Sequence, residues 1–176
     1  MSPDPIDISW CRDANEAPEL ARFFAANITP EYISHSELQG PRALGPGRWR
    51  PDIVDIFTRE IAERIAKTAG GLPAATASYP VLAARQDRSL CGFALVSLLP
   101  RAPVPYGIVE DIVVDQASRH RGLGKAIIGW IEREAAALGC VRLFLESGVT
   151  NDHAHHFFER EGFATCSIVM MKDIKR

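Results

Sequence analysis

The stretch that most constrains this chain is Val109–Trp130, "VEDIVVDQASRHRGLGKAIIGW". An apolar run of strand character holds two adjacent carboxylates, Glu110 and Asp111. Within a dozen residues it gives way to "RHRGLGK" and then to a helical pattern. In a regular strand, Glu110, Ile112 and Val114 would share one face, and Val109, Asp111 and Val113 the other. Both faces are largely apolar, so a central strand covered on both sides is expected. A carboxylate in such a strand is either desolvated, which makes it a better base near neutral pH, or sits at a splayed strand end and faces water. The glycines that follow let a ligand approach the backbone closely. The helix that starts there directs free amides and its positive dipole end at the same spot. With Arg119, Arg121 and Lys125 alongside, this reads as an anion site for phosphate or pyrophosphate, or else as a basic turn into a helix.

The rest of the pattern frames that unit. "IDISWC" alternates as a short strand. "NEAPELARFFAANI" places Leu20, Phe23, Phe24 and Ile28 at helical spacing, and "IVDIFTREIAERIAKTAGG" does the same with Ile53, Ile56, Phe57, Ile61 and Ile65. Residues 29–52 between them are rich in Gly and Pro and carry Arg42, Arg48, Trp49 and Arg50, so they read as a loop or lid. "YPVLAAR" and "LCGFALVSLLP" flank the turn "QDRS" as an antiparallel pair. A helix from about Gly122 to Leu138, the strand "VRLFLES", a short helix in "NDHAHHFFEREGF" and a last strand in "ATCSIVMMKDI" complete the order β-α-α-β-β-β-α-β-α-β. This is a mixed α/β chain with one core, and a single domain over 1–176 is expected.

Composition excludes several classes. The formal net charge of −2 argues against a surface devoted to nucleic acid or an anionic membrane. The N-terminus lacks a basic segment followed by an apolar one, and no apolar run approaches bilayer length, so a cytoplasmic protein is expected. Cys11, Cys91, Cys140 and Cys166 form no CxxC pair and read as buried free thiols. His153, His155 and His156 cluster without a second group of ligands, so no metal is expected. A P-loop fits poorly, because Lys125 is followed by Ala126 and the loop is short. A dinucleotide fingerprint lacks its third glycine, since residue 127 is Ile.

Three motifs together resemble the GCN5-related N-acetyltransferase family. "RHRGLG" matches its Arg/Gln-x-x-Gly-x-Gly/Ala signature at a helix start after a central strand. "EDIVVD" is similar to the strand before it. "NDHAHHFFEREGF" is similar to its later helix, which opens on Asn and carries an aromatic pair ahead of Gly-Phe. The resemblance covers residues 79–176 well and the first half by element order. It implies a mixed, mostly antiparallel sheet of six to seven strands with about four helices, two of the strands splaying to form an acyl-CoA cleft.

It further implies acetyl-CoA as cosubstrate. Main-chain groups of Ile112, Val113 and Val114 would hold the pantetheine arm. The amides of His120, Arg121, Gly122, Leu123, Gly124 and Lys125 would hold the pyrophosphate, with Arg119 nearby and Asn151 and Phe158 also in contact. Glu110 would be the general base for direct attack by a primary amine, and the amide of Ile112 or Val113 would stabilise the oxyanion. Many relatives have Tyr where this chain has Phe158. The proton donor to the thiolate would then be His155, His156, Tyr106, Ser147, Tyr32 or water. Residues 29–52 would line the acceptor site, their arginines either holding an anionic group or lying in solvent. The expected partner is a small-molecule amine, and a homodimer is in keeping with the family. The alternatives are a non-catalytic acyl-CoA-binding sensor or interaction module, and a nucleotide-binding protein.

Overall fold

The structure is a computed structural model that describes residues 5–119 and 121–174. In chain order the strands are β1 (Asp7–Trp10), β2 (Ala43–Gly45), β3 (Arg48–Trp49), β4 (Val81–Gln86), β5 (Ser89–Leu99), β6 (Tyr106–Val114) and β7 (Arg142–Leu145). The helices are α1 (Ala17–Asn27), α2 (His35–Gln39), α3 (Ile53–Thr68), α4 (Leu123–Ala137) and α5 (Asp152–Arg160). The main sheet has the order β1-β4-β5-β6-β7. Its first four strands are mutually antiparallel, and β7 runs parallel to β6. The parallel step is made by α4, the crossover that a parallel connection requires.

Alternation along the strands feeds two cores. Val81 and Ala83 of β4, with Phe93 and Leu95 of β5, face α1 and α3, where Leu20, Phe24, Phe57, Ile61 and Ile65 are fully buried. Leu82, Ala84, Ala94, Val96 and Leu98 face the other way, onto Ile127, Ile128 and Ile131 of α4. Phe24 and Phe57 stack with centroids 4.1 Å apart, and truncating either to alanine is expected to cost about 3–5 kcal/mol. The β4–β5 turn is tight, with Asp87 and Arg88 both at positive φ as a two-residue hairpin requires.

Four expectations are corrected. Residues 29–52 are more than a loop: they hold α2 and the two-stranded sheet β2-β3. The helix α2 forms because the Glu37 carboxylate accepts hydrogen bonds from the N–H and hydroxyl of Ser34, which holds its first turn. Residues 164–174 form no strand and lie exposed, so the main sheet has five strands and ends at β7. Their apolar pattern is strand-like, but they find no partner strand among the described residues. Cys166 in that segment is exposed, while Cys11, Cys91 and Cys140 are buried. The regular two-face reading of β6 fails at Glu110, as described next. Among the described residues, no helix is long and apolar enough to cross a membrane.

Candidate active site

The site begins with a β-bulge. Leu95 pairs with Asp111 but Val96 pairs with Val109, so Glu110 is an extra residue in β6. A bulge changes the facing of the strand that carries it. Val109 packs on the α4 core, whereas Val113 beyond the bulge packs with α1 and α3. Glu110 and Asp111 therefore both point toward the α3 side. The Glu110 carboxylate pairs with Arg64 of α3 and accepts a hydrogen bond from Ser97 of β5.

The bulge also opens the sheet. β6 and β7 pair only from Tyr106 with Arg142 to Val109 with Leu145. Beyond that point β7 stops and β6 has a free edge. Asp115 N–H bonds to Cys91 of β5, which fixes the edge its main chain faces. By alternation Val113 also turns its main chain to β5, and Ile112 and Val114 turn theirs to the opening. Of the three residues expected to offer main-chain groups there, two do. The Ile112 N–H donates to the Tyr32 hydroxyl at 3.1 Å.

The opening widens into a cleft of about 940 Å³ that reaches the start of α4. Gly122 takes φ +82° at the N-cap, a conformation that suits glycine, and no side chain caps the helix. The first intrahelical bond shown is Ala126 N–H to Gly122 C=O at 2.9 Å, so the amides of Leu123, Gly124 and Lys125 have no partner within the helix. Gly124 lies against Phe157, which closes the floor beside the buried Phe158. Arg119 lines the cleft and is anchored by a 3.0 Å hydrogen bond to the Asn27 carbonyl. Lys125 lines it as well, but Arg121 is exposed and not on its wall. His120 lies outside the described residues. Asn151 occupies the N-cap of α5 without a side-chain cap bond, so its carboxamide is left to the cleft. Among the proton-donor candidates, Tyr32, Ser147 and His156 line the cleft, whereas His155 and Tyr106 do not. The Ser147 hydroxyl oxygen is buried with no protein partner.

Behind the bulge lies a second cavity of about 610 Å³. Six carboxylates line it, Glu37, Glu60, Glu63, Glu110, Asp111 and Glu146, against the guanidiniums of Arg42 and Arg59. Glu110 and Glu146 belong to both cavities. The three arginines of the 29–52 segment do not assemble as an anion clamp. Arg42 is buried and bonded to Asp111 at 2.8 Å and Glu60 at 2.7 Å. Arg50 pairs with Asp52 at 2.8 Å and Arg48 is exposed. Burial raises the Asp111 carboxyl above its ordinary range, with Arg42 opposing the shift. Burial and the Asp111 charge hold the Tyr32 phenol well above its usual value, so it stays protonated and donates to Asp111 at 3.0 Å.

A strap that follows α1 contributes Thr29 and Tyr32 to the first cavity and Ser36 and Glu37 to the second. Glu31 and Ile33 pass so near Gly148 that a Cβ there would meet the Glu31 carbonyl oxygen at 2.0 Å. Ser36 and His35 both reach Glu146 at 2.6 Å. Arg64, Ser97 and Glu146 were not singled out by sequence. A faint signal existed for Arg64, which flanks the Ile61–Ile65 stripe one turn after Glu60.

Residues 49–163 match the family model described as "Acetyltransferase (GNAT) family". Glucosamine 6-phosphate N-acetyltransferase from Arabidopsis thaliana is 33% identical over 66 residues, 38% of this chain and 42% of that protein. The match thus spans less than half of that relative. Ribosomal-protein-alanine N-acetyltransferase from Brucella melitensis biovar Abortus 2308 superposes with a TM-score of 0.63 at 22% identity, covering 97% of this chain and 100% of that one. An aminoglycoside N-acetyltransferase in complex with CoA gives 0.66 at 17% identity, covering 98% and 96%. These two likenesses are of fold.

Proposed function

Because the chain belongs to the acetyltransferase (GNAT) family, we propose that it moves an acetyl group from acetyl-CoA to a primary amine of a small cationic molecule. One observation carries this reading: Glu110 stands on the wall shared by the helix-start cleft and the acidic cavity. A donor held in the first and an amine held in the second would meet there.

The cleft suits the donor. Three amides without helical partners and the adjacent Lys125 and Arg119 match a pyrophosphate. The free edge of Ile112 and Val114 matches the amide groups of a pantetheine arm, as an added strand. The buried, unpartnered Ser147 hydroxyl is the kind of group that a ligand satisfies. The acidic cavity suits an acceptor carrying more than one ammonium and disfavours a phosphate-bearing one.

In the reaction the neutral amine nitrogen attacks the thioester carbon, the C–S bond breaks, and the sulfur leaves as thiolate. Glu110 takes the amine proton directly or through a water. The Ile112 N–H would stabilise the oxyanion once the Tyr32 hydroxyl gives way to the carbonyl. The amide of Val113 faces β5 and is not used. Proton return to the thiolate falls to Ser147, His156 or water, since Phe158 has no hydroxyl and the Tyr32 proton is committed to Asp111. Three buried thiols fit a reducing, cytoplasmic setting.

Glu110→Gln tests the assignment. Calorimetric titration with acetyl-CoA should be unchanged, while acetylation of a polyamine or an aminoglycoside should fall at least tenfold. Unchanged turnover would move the base to Glu146, the other carboxylate on both walls. The second reading, a non-catalytic acyl-CoA sensor, is favoured by the Tyr32 hydroxyl on the Ile112 amide. Tight acetyl-CoA binding with no acetylation of any amine would select it.

A further inference from the structure

The Ile112 N–H stands two residues past Glu110 on the open edge of β6, and a side chain already holds it: the Tyr32 hydroxyl, at 3.1 Å. The same hydroxyl donates to the Asp111 carboxylate at 3.0 Å. The contact is built from several elements. Tyr32 closes the short turn Pro30–Tyr32, its N–H bonded to the Thr29 carbonyl at 3.1 Å. The Trp49 indole N–H donates to that same carbonyl at 3.1 Å. The Tyr32 ring stands edge-on to the fully buried Phe24, with centroids 5.6 Å apart, and lies 6.1 Å from the ring of Trp49. Asp111 is fixed in turn by Arg42 at 2.8 Å. Aromatic packing therefore sets the ring, and a buried carboxylate accepts from its hydroxyl, which leaves the hydroxyl oxygen's lone pairs to the Ile112 N–H. Tyr32 and Ile112 both line the helix-start cleft.

A main-chain N–H has one hydrogen to give, so the Tyr32 hydroxyl and a thioester carbonyl are alternatives at Ile112. Resting on the reading of the cleft as an acetyl-CoA site, we propose that Tyr32 is a specificity-determining residue for the donor: its hydroxyl occupies the place of the thioester carbonyl, so CoA enters with the contact intact and acetyl-CoA enters at its expense. Free CoA ends in a thiol and has no carbonyl to place, so it neither gains nor loses a bond at Ile112. The acetyl group gains the amide only as the hydroxyl leaves it. Exchanging one hydrogen bond for another contributes little net affinity. The acetyl group therefore adds little to binding, the released CoA competes well with the donor, and turnover follows the ratio of acetyl-CoA to CoA. Replacing Tyr32 with Phe changes this balance at one atom. The ring keeps its packing on Phe24 and Trp49, and Asp111 keeps Arg42. The Ile112 N–H loses its partner, and of the two forms of the cofactor only the acetylated one restores it.

Calorimetric titration of the full wild-type chain and of Tyr32→Phe, each with acetyl-CoA and with CoA, tests this. The ratio of the two dissociation constants should move in favour of acetyl-CoA by roughly three- to tenfold in the variant, the worth of one net hydrogen bond. A merely structural loss would weaken both forms alike and leave the ratio where it was, and an unchanged ratio overturns the proposal. Binding of neither form to either chain overturns the acyl-CoA reading of the cleft itself, and the proposal with it. Crystal structures of the wild type supply a readout that needs no variant. With CoA bound, the Tyr32 hydroxyl should stay on the Ile112 N–H. With the ketone analogue of acetyl-CoA, in which CH2 replaces the sulfur, the analogue's carbonyl should take its place. The hydroxyl still on Ile112 in both complexes overturns the proposal.

Discussion

Replacing Arg42 with Met separates a structural arginine from a substrate clamp. Arg42 is 10% exposed and Asp111 is fully buried, with their atoms 2.8 Å apart. Arg42 also holds Glu60 at 2.7 Å, and its guanidinium lies 4.4 Å from the Phe57 ring centroid. Met restores most of the volume over Phe57 but leaves Asp111 with the Tyr32 hydroxyl alone. An uncompensated buried charge of this kind costs about 3–5 kcal/mol, which for a chain of this size is roughly 6–20 °C in Tm.

The loss depends on pH, with a definite sign. Burial already raises the Asp111 carboxyl, and the variant removes the opposing Arg42. A carboxyl raised in the folded state contributes stability that is complete below its unfolded value of about 3.9 and is lost as pH rises through the folded value. The deficit of R42M should therefore shrink as pH falls from 7.5 toward 5. Adding Asp111→Asn should recover part of it, because the charge that Met strands is gone. Urea unfolding followed by tryptophan fluorescence, at several pH values, on the two single variants and the double, measures all three. A variant as stable as wild type that has lost affinity only for acceptors would refute this reasoning and return Arg42 to a role at the substrate.

Other outcomes follow from single contacts. Gly122→Ala meets open space but must hold φ +82°, so it should cost about 1–2 kcal/mol in thermal stability and weaken acetyl-CoA binding by calorimetry. An unshifted melting curve would remove the argument that this turn needs glycine. Gly148→Ala drives a Cβ into the Glu31 carbonyl and must displace the strap. About 1–3 kcal/mol of destabilisation is expected, together with a raised KM for the amine and a smaller change for acetyl-CoA. Equal changes in both KM values would mean that the strap serves the two cavities alike.

Much of the site was legible because it is local. A glycine-opened helix after a strand exposes free amides whatever the chain around it does, so the uncapped helix start at Leu123–Lys125 could be read from "RHRGLGK". The helical spacing of Phe24, Ile61 and Ile131 likewise depends on near neighbours alone. Three things did not follow from the chain read linearly. Simple alternation puts Glu110 on the face opposite Asp111, whereas the two share one, because a bulge is set by register against Leu95 and Val96 in another strand. The role of Arg42 is not legible in the sequence, because a cation in a Gly-Pro-rich segment looks the same whether it meets solvent or a carboxylate 69 positions away. The strand expected in 164–174 did not form, because a strand is completed by a neighbour and propensity cannot supply one. The sequence by itself determined most of the elements, the two apolar faces and the glycine-opened turn with its free amides, which rest on interactions a few residues apart. Only the tertiary structure decided which carboxylates share a cavity, which arginines are already paired and which edge stays open, because those depend on how distant segments pack together.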